Sequence, residues 1–224
     1  MKKLLQIVTF TFFSVTCFGQ IGLINDLDGY TNVRKEKSAD SEILFQIKEN
    51  EVFFIDVYYV DLDSSWIKIW FPKSKYSKYN KDYSNSDLNG YIHKSRIRLI
   101  DSLRVCEKDC PKLIYGIQKA DSTRELENGV FGLEIPLSMS YEVSSLYLKW
   151  DNQTIQQNTE LYDDLLNVAF EEGNYTSDCG RFTTYENNGT YFIRQKCADG
   201  AGYYEIIWVV KNGEIIQRLA GWIT

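Results

Sequence analysis

The second half of the chain alternates short apolar runs with pairs of turn-forming residues. Aromatic and β-branched side chains fill the runs, and each run is about as long as a β-strand. The predicted strands are Val130–Leu137, Val143–Trp150, Arg181–Glu186, Thr190–Cys197, Tyr203–Lys211 and Glu214–Leu219. Asn212-Gly213, the strongest short hairpin signal, separates the last two. The pattern therefore predicts an antiparallel β-meander that ends in a hairpin.

One segment of this half has a helical rather than a strand period. Leu161, Leu165 and Val168 are spaced at i, i+4 and i+7, which is typical of one face of an amphipathic helix. Gly173 stands where such a helix would end. The spacing predicts one helix over Thr159–Phe170.

Short strands and turns also follow one another from Asp28 to Ile100. Tyr30-Thr31-Asn32-Val33-Arg34 follows the turn Asp28-Gly29, and Gly90-Tyr91-Ile92-His93 closes the stretch. Between them lie Glu42–Ile47, Val52–Tyr59 and Trp66–Phe71. In this order the five motifs resemble a bacterial SH3 domain, over residues from about 24 to 100. The resemblance implies an SH3-like small β-barrel, a module that many exported bacterial proteins carry.

Two positions in this stretch differ from the family pattern. Asn50 stands where the family commonly has a turn glycine, and Asn tolerates the left-handed conformation better than most residues. Pro72–Leu88 inserts seventeen residues where a short loop would suffice. The inserted segment mixes basic and aromatic side chains, which can stack on sugar rings and pair with anionic groups. Its candidate binding residues are Tyr76, Tyr79, Tyr83, Lys75 and Lys78. The alternative is a solvated, mobile tip whose lysines keep it soluble.

Composition agrees with a mainly β fold and limits the partners. Aromatic residues make up 15% of the 224 residues, whereas proline occurs three times. The formal charge of −6 argues against generic nucleic-acid binding, which needs a concentrated basic face.

Residues 1–19 have the character of a signal peptide. Lys2 and Lys3 precede a mainly apolar run from Leu4 to Val15, and Cys17-Phe18-Gly19 places small residues where a signal peptidase reads. The run is too short to span a membrane. We therefore expect cleavage before Gln20 and a periplasmic or extracellular protein. A lipid anchor on Cys17 is disfavoured, since Val15-Thr16 is a poor lipobox.

Four cysteines follow this segment, and an even count in an exported protein predicts disulfides. We expect Cys106–Cys110 and Cys179–Cys197, although sequence alone allows three connectivities. A three-residue loop at Asn187-Asn188-Gly189 would place Cys179 opposite Cys197, whereas a two-residue turn at Asn188-Gly189 would offset them. A metal site lacks the paired C-x-x-C spacing that thiolate sites use.

The motifs of common envelope hydrolases are missing from the sequence. His93 is the only histidine and belongs to the closing strand of the SH3-like region, so a Cys–His pair or a His-rich zinc site is not predicted. Asp163, Asp164, Glu171 and Glu172 could serve a glycosidase, but acidic residues at helix spacing are typical of a solvated face. The glycine-rich Asp199–Gly202 joins two strands, and no motif indicates a cofactor.

The sequence therefore predicts a mainly β protein of two domains. An SH3-like domain over 20–100 and a junction over 101–121 precede a β-rich domain over 122–224. We expect a non-catalytic binding protein whose partner is a cell-envelope polymer or protein. The alternatives are an envelope hydrolase with a carboxylate site in the second domain, and an exported inhibitor or immunity protein.

Overall fold

The computed structural model describes residues 20–56, 65–77, 87–123, 129–133, 135–168, 170–171, 174–175, 182–197 and 203–221. Its strands, in chain order, are β1 (Gln20–Ile24), β2 (Tyr30–Arg34), β3 (Ile43–Lys48), β4 (Val52–Ile55), β5 (Trp66–Pro72), β6 (Asp87–His93), β7 (Ile97–Leu99), β8 (Arg104–Val105), β9 (Lys112–Lys119), β10 (Tyr141–Trp150), β11 (Gln153–Gln156), β12 (Phe170–Glu171), β13 (Asn174–Tyr175), β14 (Phe182–Asn187), β15 (Thr190–Cys197), β16 (Tyr204–Lys211) and β17 (Glu214–Gly221). Single 3-10 turns occur at Lys94–Arg96, Ile100–Ser102, Leu137–Met139 and Thr159–Leu161. The predicted mainly β fold is confirmed.

The N-terminal sheet has seven strands in the order β3-β2-β6-β5-β4-β1-β7. All its pairings are antiparallel, and it bends around a core that includes Val33, Ile47, Phe53, Ile69 and Ile92. The strands β3 and β7 form its two edges, so the described sheet does not close into a barrel.

Two further sheets are built from the rest of the chain. The central sheet has the order β17-β16-β15-β14-β8, and the outer sheet has the order β11-β10-β9. The run from β14 to β17 is an antiparallel meander, and Asn212-Gly213 forms its last turn with φ values of 52° and 79°. A short pair, β12 and β13, stands apart from these sheets.

The central sheet is the middle layer of three. Along β16, Ile206, Trp208 and Val210 pack with the outer sheet, whereas Ile207 and Val209 pack with β1 and β4 of the N-terminal sheet. Successive side chains of a strand point to opposite faces, so both faces of β16 are covered. All its residues except Lys211 are accordingly buried. The continuous apolar run of this strand is the sequence signature of a strand buried on both sides.

The central and N-terminal sheets also contact each other through polar groups. The side-chain amide of Gln217 on β17 accepts a hydrogen bond from the backbone nitrogen of Val52 at 2.8 Å and donates one to its oxygen at 2.9 Å. Asn187 donates to the side chain of Asn50, which adopts the predicted left-handed conformation with φ of 66°. The boundaries of the two predicted domains stay predictions, but these parts of the chain share a buried surface.

The helix predicted over Thr159–Phe170 is wrong. Thr159–Leu161 forms one 3-10 turn, and Asn167 takes a φ of 52° that no α-helix allows. The side chain of Asn167 accepts from the backbone of Tyr141 and donates to the oxygen of Gly132, each at 3.0 Å. Leucines that share a helical period therefore lie in an irregular segment, and Leu161, Leu165 and Val168 are all buried.

The strand predicted over Val130–Leu137 is also wrong. Of the residues described in this range, only Phe131 takes part in a β-bridge, with Leu165, and its backbone oxygen accepts from the nitrogen of Leu166. Gly132 follows with φ of 79°, a left-handed residue that ends extended pairing. Phe131 is therefore paired with the irregular segment that contains Leu165 and Leu166, rather than with a regular β-strand.

The turn between β14 and β15 is the two-residue alternative. Asn187 pairs with Thr190, and Asn188 and Gly189 take φ values of 50° and 74°. The three-residue loop, which supported opposition of Cys179 and Cys197, is therefore wrong. Cys179 lies outside the described residues and Cys197 is fully buried, so their pairing stays a prediction.

The segment 1–19 and its predicted cleavage site precede the described residues. Within the described part of the chain, we find no helix whose length and apolar character would suit it to crossing a membrane.

Candidate binding site

A polar pocket of about 400 Å³ lies on the N-terminal sheet. It is bounded by β2, the start of β5, the end of β6 and the turn that precedes β2. Its charged lining residues are Asp26, Asp28, Arg34 and Arg96, and its aromatic and imidazole rings belong to Tyr30, Trp66 and His93. Unlike the mainly apolar lining of most small-ligand sites, this lining is largely polar, so it is suited to a polar ligand.

Strand β2 contributes to the pocket through the outward face of the sheet. Tyr30, Asn32 and Arg34 alternate along the strand with the buried Thr31 and Val33. The period of two is what places an aromatic ring, an amide and a guanidinium side by side. Tyr30 is 41% exposed, so its ring is open to solvent.

An ion pair fixes one wall of the pocket. Arg96 Nη1 lies 2.7 Å from Asp26 Oδ1, and the side chain of Asp26 is only 5% exposed. The backbone nitrogen of Asn25 donates to the oxygen of Arg96 at 2.9 Å, so the same two segments are joined twice. This wall is therefore formed before any ligand arrives.

His93 and Trp66 form the opposite wall. Their rings meet edge to face, with centroids 5.4 Å apart and an interplanar angle of 87°. The backbone nitrogen of Ser95 donates to His93 Nδ1 at 3.3 Å, and Ser95 Oγ lies 2.8 Å from the same atom. Since a backbone N–H can only donate, Nδ1 is the acceptor in this contact, which leaves Nε2 as the donor of the ring. Both rings are thus oriented by contacts within the protein.

The inserted segment Pro72–Leu88 does not start as a free loop. Its described part runs alongside β17: Arg218 forms a parallel β-bridge with Tyr76, and its nitrogen donates to the oxygen of Lys75 at 3.1 Å. The half-buried ring of Tyr76 packs against the core, with Lys75 Nζ 5.3 Å from its centroid. Of the predicted binding residues, Tyr76 thus serves packing, while Tyr79, Tyr83 and Lys78 lie outside the described residues.

The side chain of Arg218 also binds the inserted segment, through the backbone oxygen of Ser77. We call Arg218, Asp164, Leu161 and Ser77 the Arg218 cluster. The fully buried guanidinium binds both carboxylate oxygens of Asp164, at 2.7 and 2.9 Å. It also donates to the backbone oxygens of Leu161, at 2.6 Å, and Ser77. Within the described part of the chain, Arg218 Nε is buried without a hydrogen-bond partner, while both terminal nitrogens of the guanidinium are bonded inside the fold. Asp164, a candidate carboxylate of the hydrolase hypothesis, has a structural partner.

A second buried ion pair lies on the central sheet. Arg194 Nε is 2.6 Å from Glu205 Oε2, and Arg194 Nη1 is 2.8 Å from Asp101 Oδ1. Burial lowers the pKa of Arg194, but the hydrogen bonds and charges of Glu205 and Asp101 outweigh it and hold the pKa above its ordinary value. Burial, and then the hydrogen bond that its hydroxyl donates to Glu205, raise the pKa of Tyr203. This cluster keeps its charges paired with one another.

A larger groove of about 750 Å³ lies between the central and outer sheets. The predicted disulfide Cys106–Cys110 is present beside it, with an S–S distance of 2.06 Å. Val105 and Ile114 are about half exposed on its walls, and the rings of Tyr115 and Phe182 stack with centroids 6.4 Å apart. The lining of the groove is mainly apolar, and its polar side chains include Glu107, Lys112, Thr183 and Thr184.

The remaining chemical candidates are dispersed. Asp163 is exposed beside the Arg218 cluster, while Glu172 and the side chain of Glu171 are not described. No group of three or more His, Cys, Asp or Glu residues with metal-site geometry occurs in the described ranges. Of the two cavities, the polar pocket is the one lined almost entirely by charged and hydrogen-bonding side chains, and we take it as the candidate site.

Comparison with protein-family models, with curated proteins and with solved structures finds no match to this chain. The candidate site consequently rests on its own geometry. Tyr30, Arg34 and His93 belong to the sequence motifs between residues 28 and 100, but they were not among the residues predicted to bind a ligand. The alternation of Tyr30, Asn32 and Arg34 along a strand with buried neighbours was the available signal.

Proposed function

We propose that the protein is an exported, non-catalytic binding protein of the cell envelope. In this proposal residues 20–100 form an SH3-like module that binds a peptide, glycan or protein partner. The single observation that carries it is the polar pocket, in which the Asp26–Arg96 pair and the His93–Trp66 contact hold the walls in place. A site whose side chains are already oriented loses little conformational entropy when it binds.

The contacts of the inserted segment support the pocket over Tyr76 as the place of binding. The ring of Tyr76 is packed against the core, and its hydroxyl lies 3.4 Å from the oxygen of Ile215. Tyr30, in contrast, is 41% exposed beside groups that can hydrogen-bond a ligand. The residues Lys78, Tyr79 and Tyr83 stay candidates for a second contact with the same partner.

The disulfide supports export. The bond Cys106–Cys110 closes a short turn, and disulfides persist mainly in oxidising compartments. Ile21 and Leu23, which follow the predicted cleavage site, are buried against the central sheet. Cleavage before Gln20, as proposed, would leave both of these core residues in the mature chain.

The test is cosedimentation of the purified mature chain with insoluble cell-wall sacculi and with membrane envelope fractions. We expect the wild type to sediment with one of these fractions and the Tyr30→Ala variant to stay in the supernatant. The control is Tyr147→Ala, which removes a half-buried tyrosine of the outer sheet, on a different sheet from the pocket. A Tyr30→Ala variant that sediments as the wild type does would refute the pocket as the binding site.

The inserted segment needs a separate variant in the same assay. Residues 78–86 are replaced by a short Gly-Ser linker, which leaves Lys75, Tyr76 and Ser77 in place against β17. Weaker sedimentation of this variant would support a second contact through Lys78, Tyr79 and Tyr83. Unchanged sedimentation would remove those residues from the binding surface.

A further inference from the structure

We infer that the polar pocket binds an uncharged sugar ring, as one unit of a neutral glycan chain. The inference rests on the proposed function, because it assigns the ligand class of the same pocket. Three features of the pocket lead to it: its balanced charge, its mixture of donors and acceptors, and its aromatic faces.

The formal charges of the pocket cancel. Two carboxylates, Asp26 and Asp28, face two guanidiniums, Arg34 and Arg96. Asp26 and Arg96 already neutralise each other at 2.7 Å, and Arg34 Nη1 donates to the backbone oxygen of Ser41 at 2.6 Å. An anionic or cationic ligand would therefore meet a repelling charge along with an attracting one, whereas a neutral polar ligand meets neither penalty.

The hydrogen-bonding groups of the pocket are mixed in kind. Asn32 Oδ1 accepts from Gln46 Nε2 at 3.0 Å, which leaves the Nδ2 end of Asn32 as a donor. His93 Nδ1 accepts from the backbone of Ser95, which leaves Nε2 as a second donor, while the exposed carboxylate of Asp28 is an acceptor. A hydroxyl both donates and accepts, so a ring carrying several hydroxyls can satisfy such a set in one plane. A peptide backbone offers fixed donors and acceptors that alternate along an extended line.

The aromatic rings supply a surface for the apolar face of a sugar. A pyranose has C–H groups on its faces and hydroxyls at its rim, which matches an aromatic plane bordered by polar groups. Tyr30 presents an open ring, and the orientation of Trp66 is held by its edge-to-face contact with His93. The pocket volume of about 400 Å³ is near the lower end of the usual range for small ligands, about 300–1,000 Å³. It suits a short section of a chain rather than a folded partner.

Titration calorimetry of the mature chain tests this with oligosaccharides of one length and different charge. The neutral probes are the tetramers of cellulose, amylose, mannan and chitin; the charged probes are the chitosan tetramer, which is cationic, and tetragalacturonate, which is anionic. We expect at least one neutral tetramer to bind the protein. Both charged tetramers should bind the protein about tenfold more weakly than that neutral tetramer, or not at all. An uncharged tetrapeptide serves as the peptide probe and should not bind.

Two variants of pocket residues and one control variant test whether binding takes place in the pocket. Tyr30→Ala should weaken the neutral tetramer about tenfold, whereas Tyr147→Ala should leave its affinity unchanged. Asp28→Asn gives the pocket a net positive charge and should improve the binding of tetragalacturonate relative to wild type. The inference is overturned if no neutral tetramer binds, if a charged tetramer or the tetrapeptide binds as tightly, or if Tyr30→Ala has no effect.

These outcomes are distinct from failure of the proposed function. Sedimentation with envelope that depends on Tyr30, together with no sugar binding, refutes the sugar ring and leaves the envelope-binding role in place. Sugar binding that depends on Tyr30, with no sedimentation, supports the ligand class and refutes the envelope as its source.

Discussion

The polar pocket and the Arg218 cluster use similar side chains to opposite ends. Each combines arginine with aspartate, but Arg218 is fully buried and engages Asp164, Leu161 and Ser77 inside the fold. In the pocket, the pair of Arg96 and Asp26 occupies only part of the hydrogen-bonding capacity, and Tyr30 remains open to solvent. In the proposed function, the feature that distinguishes the pocket from the cluster is the hydrogen-bonding groups available to a ligand beside a fixed frame, rather than charge itself.

The sharpest way to break this comparison is to remove Arg218. The Arg218→Met variant leaves the carboxylate of Asp164 buried without its partner, and loss of one member of a buried ion pair costs roughly 3–5 kcal/mol of unfolding free energy. Chemical denaturation measures this loss. The matched control is Arg104→Met, because Arg104 is exposed in its pair with Glu186 and surface pairs contribute about 0–1 kcal/mol.

A double variant separates charge from packing in that cluster. Arg218→Met with Asp164→Leu removes both charges, so it should recover much of the stability that Arg218→Met loses. If Arg218→Met unfolds no more easily than Arg104→Met, the cluster does not have the structural role that its burial indicates.

A second buried contact tests whether the N-terminal and central sheets stabilise each other. Gln217→Ala leaves the backbone nitrogen and oxygen of Val52 buried without the amide that binds both. Each buried polar group left unsatisfied costs about 1–3 kcal/mol, so we expect a loss of roughly 2 kcal/mol or more in the same denaturation measurement. The control Gln118→Ala removes an exposed hydrogen bond to Glu142 and should change little. Equal midpoints for the two variants would indicate that the sheets are energetically independent.

Tyr203 and Tyr204, where β16 begins, should make the stability of the protein depend on pH. Burial, and for Tyr203 also the hydrogen bond to Glu205, raise the pKa values of Tyr203 and Tyr204 above 10. Both are protonated in folded and unfolded chains below pH about 10, so their contribution to stability is fully present there. Above that pH the unfolded chain loses its protons first, and stability falls. Tyrosinate absorbance should therefore show the two hydroxyls titrating only with unfolding, and Tyr203→Phe should make stability fall less steeply. An equally steep fall in that variant would contradict the assignment.

The pocket should show the smallest effect on stability. Tyr30→Ala removes a ring that is exposed rather than part of the core, so the unfolding free energy of the variant should stay within about 0.5 kcal/mol of wild type. Thermal or chemical denaturation checks this, and the same sample must have lost ligand binding. A variant that loses binding and also several kcal/mol of stability would show that the ring supports the fold rather than the ligand.

Sequence patterns predicted the strands better than the irregular segments. The turn at Asn212-Gly213 and the left-handed Asn50 followed from local backbone chemistry, and both are present. The false helix at Thr159–Phe170 arose because Leu161, Leu165 and Val168 are buried by an irregular path whose conformation depends on Asn167 and its distant partners Tyr141 and Gly132. The helical spacing of apolar residues correctly indicated which residues are buried. It predicts a helix only where tertiary contacts do not impose another backbone conformation.

The candidate site was harder to predict than the fold. Tyr30, Trp66 and His93 come from three separate strands, and their proximity depends on a strand order that local pattern does not encode. The aromatic and basic residues of Pro72–Leu88 are close together in the sequence, and for that reason a binding site was predicted there. Tyr76, however, is paired with Arg218 of β17. The turn at Asn188-Gly189 was similarly open to two registers, and tertiary pairing of β14 with β15 selects the shorter one.

The most direct test of the central claim is a map of backbone amide shifts when soluble cell-envelope fragments are added to the isotope-labelled protein. The account predicts the largest changes at Tyr30, Asn32 and Arg34 on β2 and at His93 to Arg96, with the Arg218 cluster unchanged. Changes confined to β17, or to the groove between Val105 and Tyr115, would contradict it.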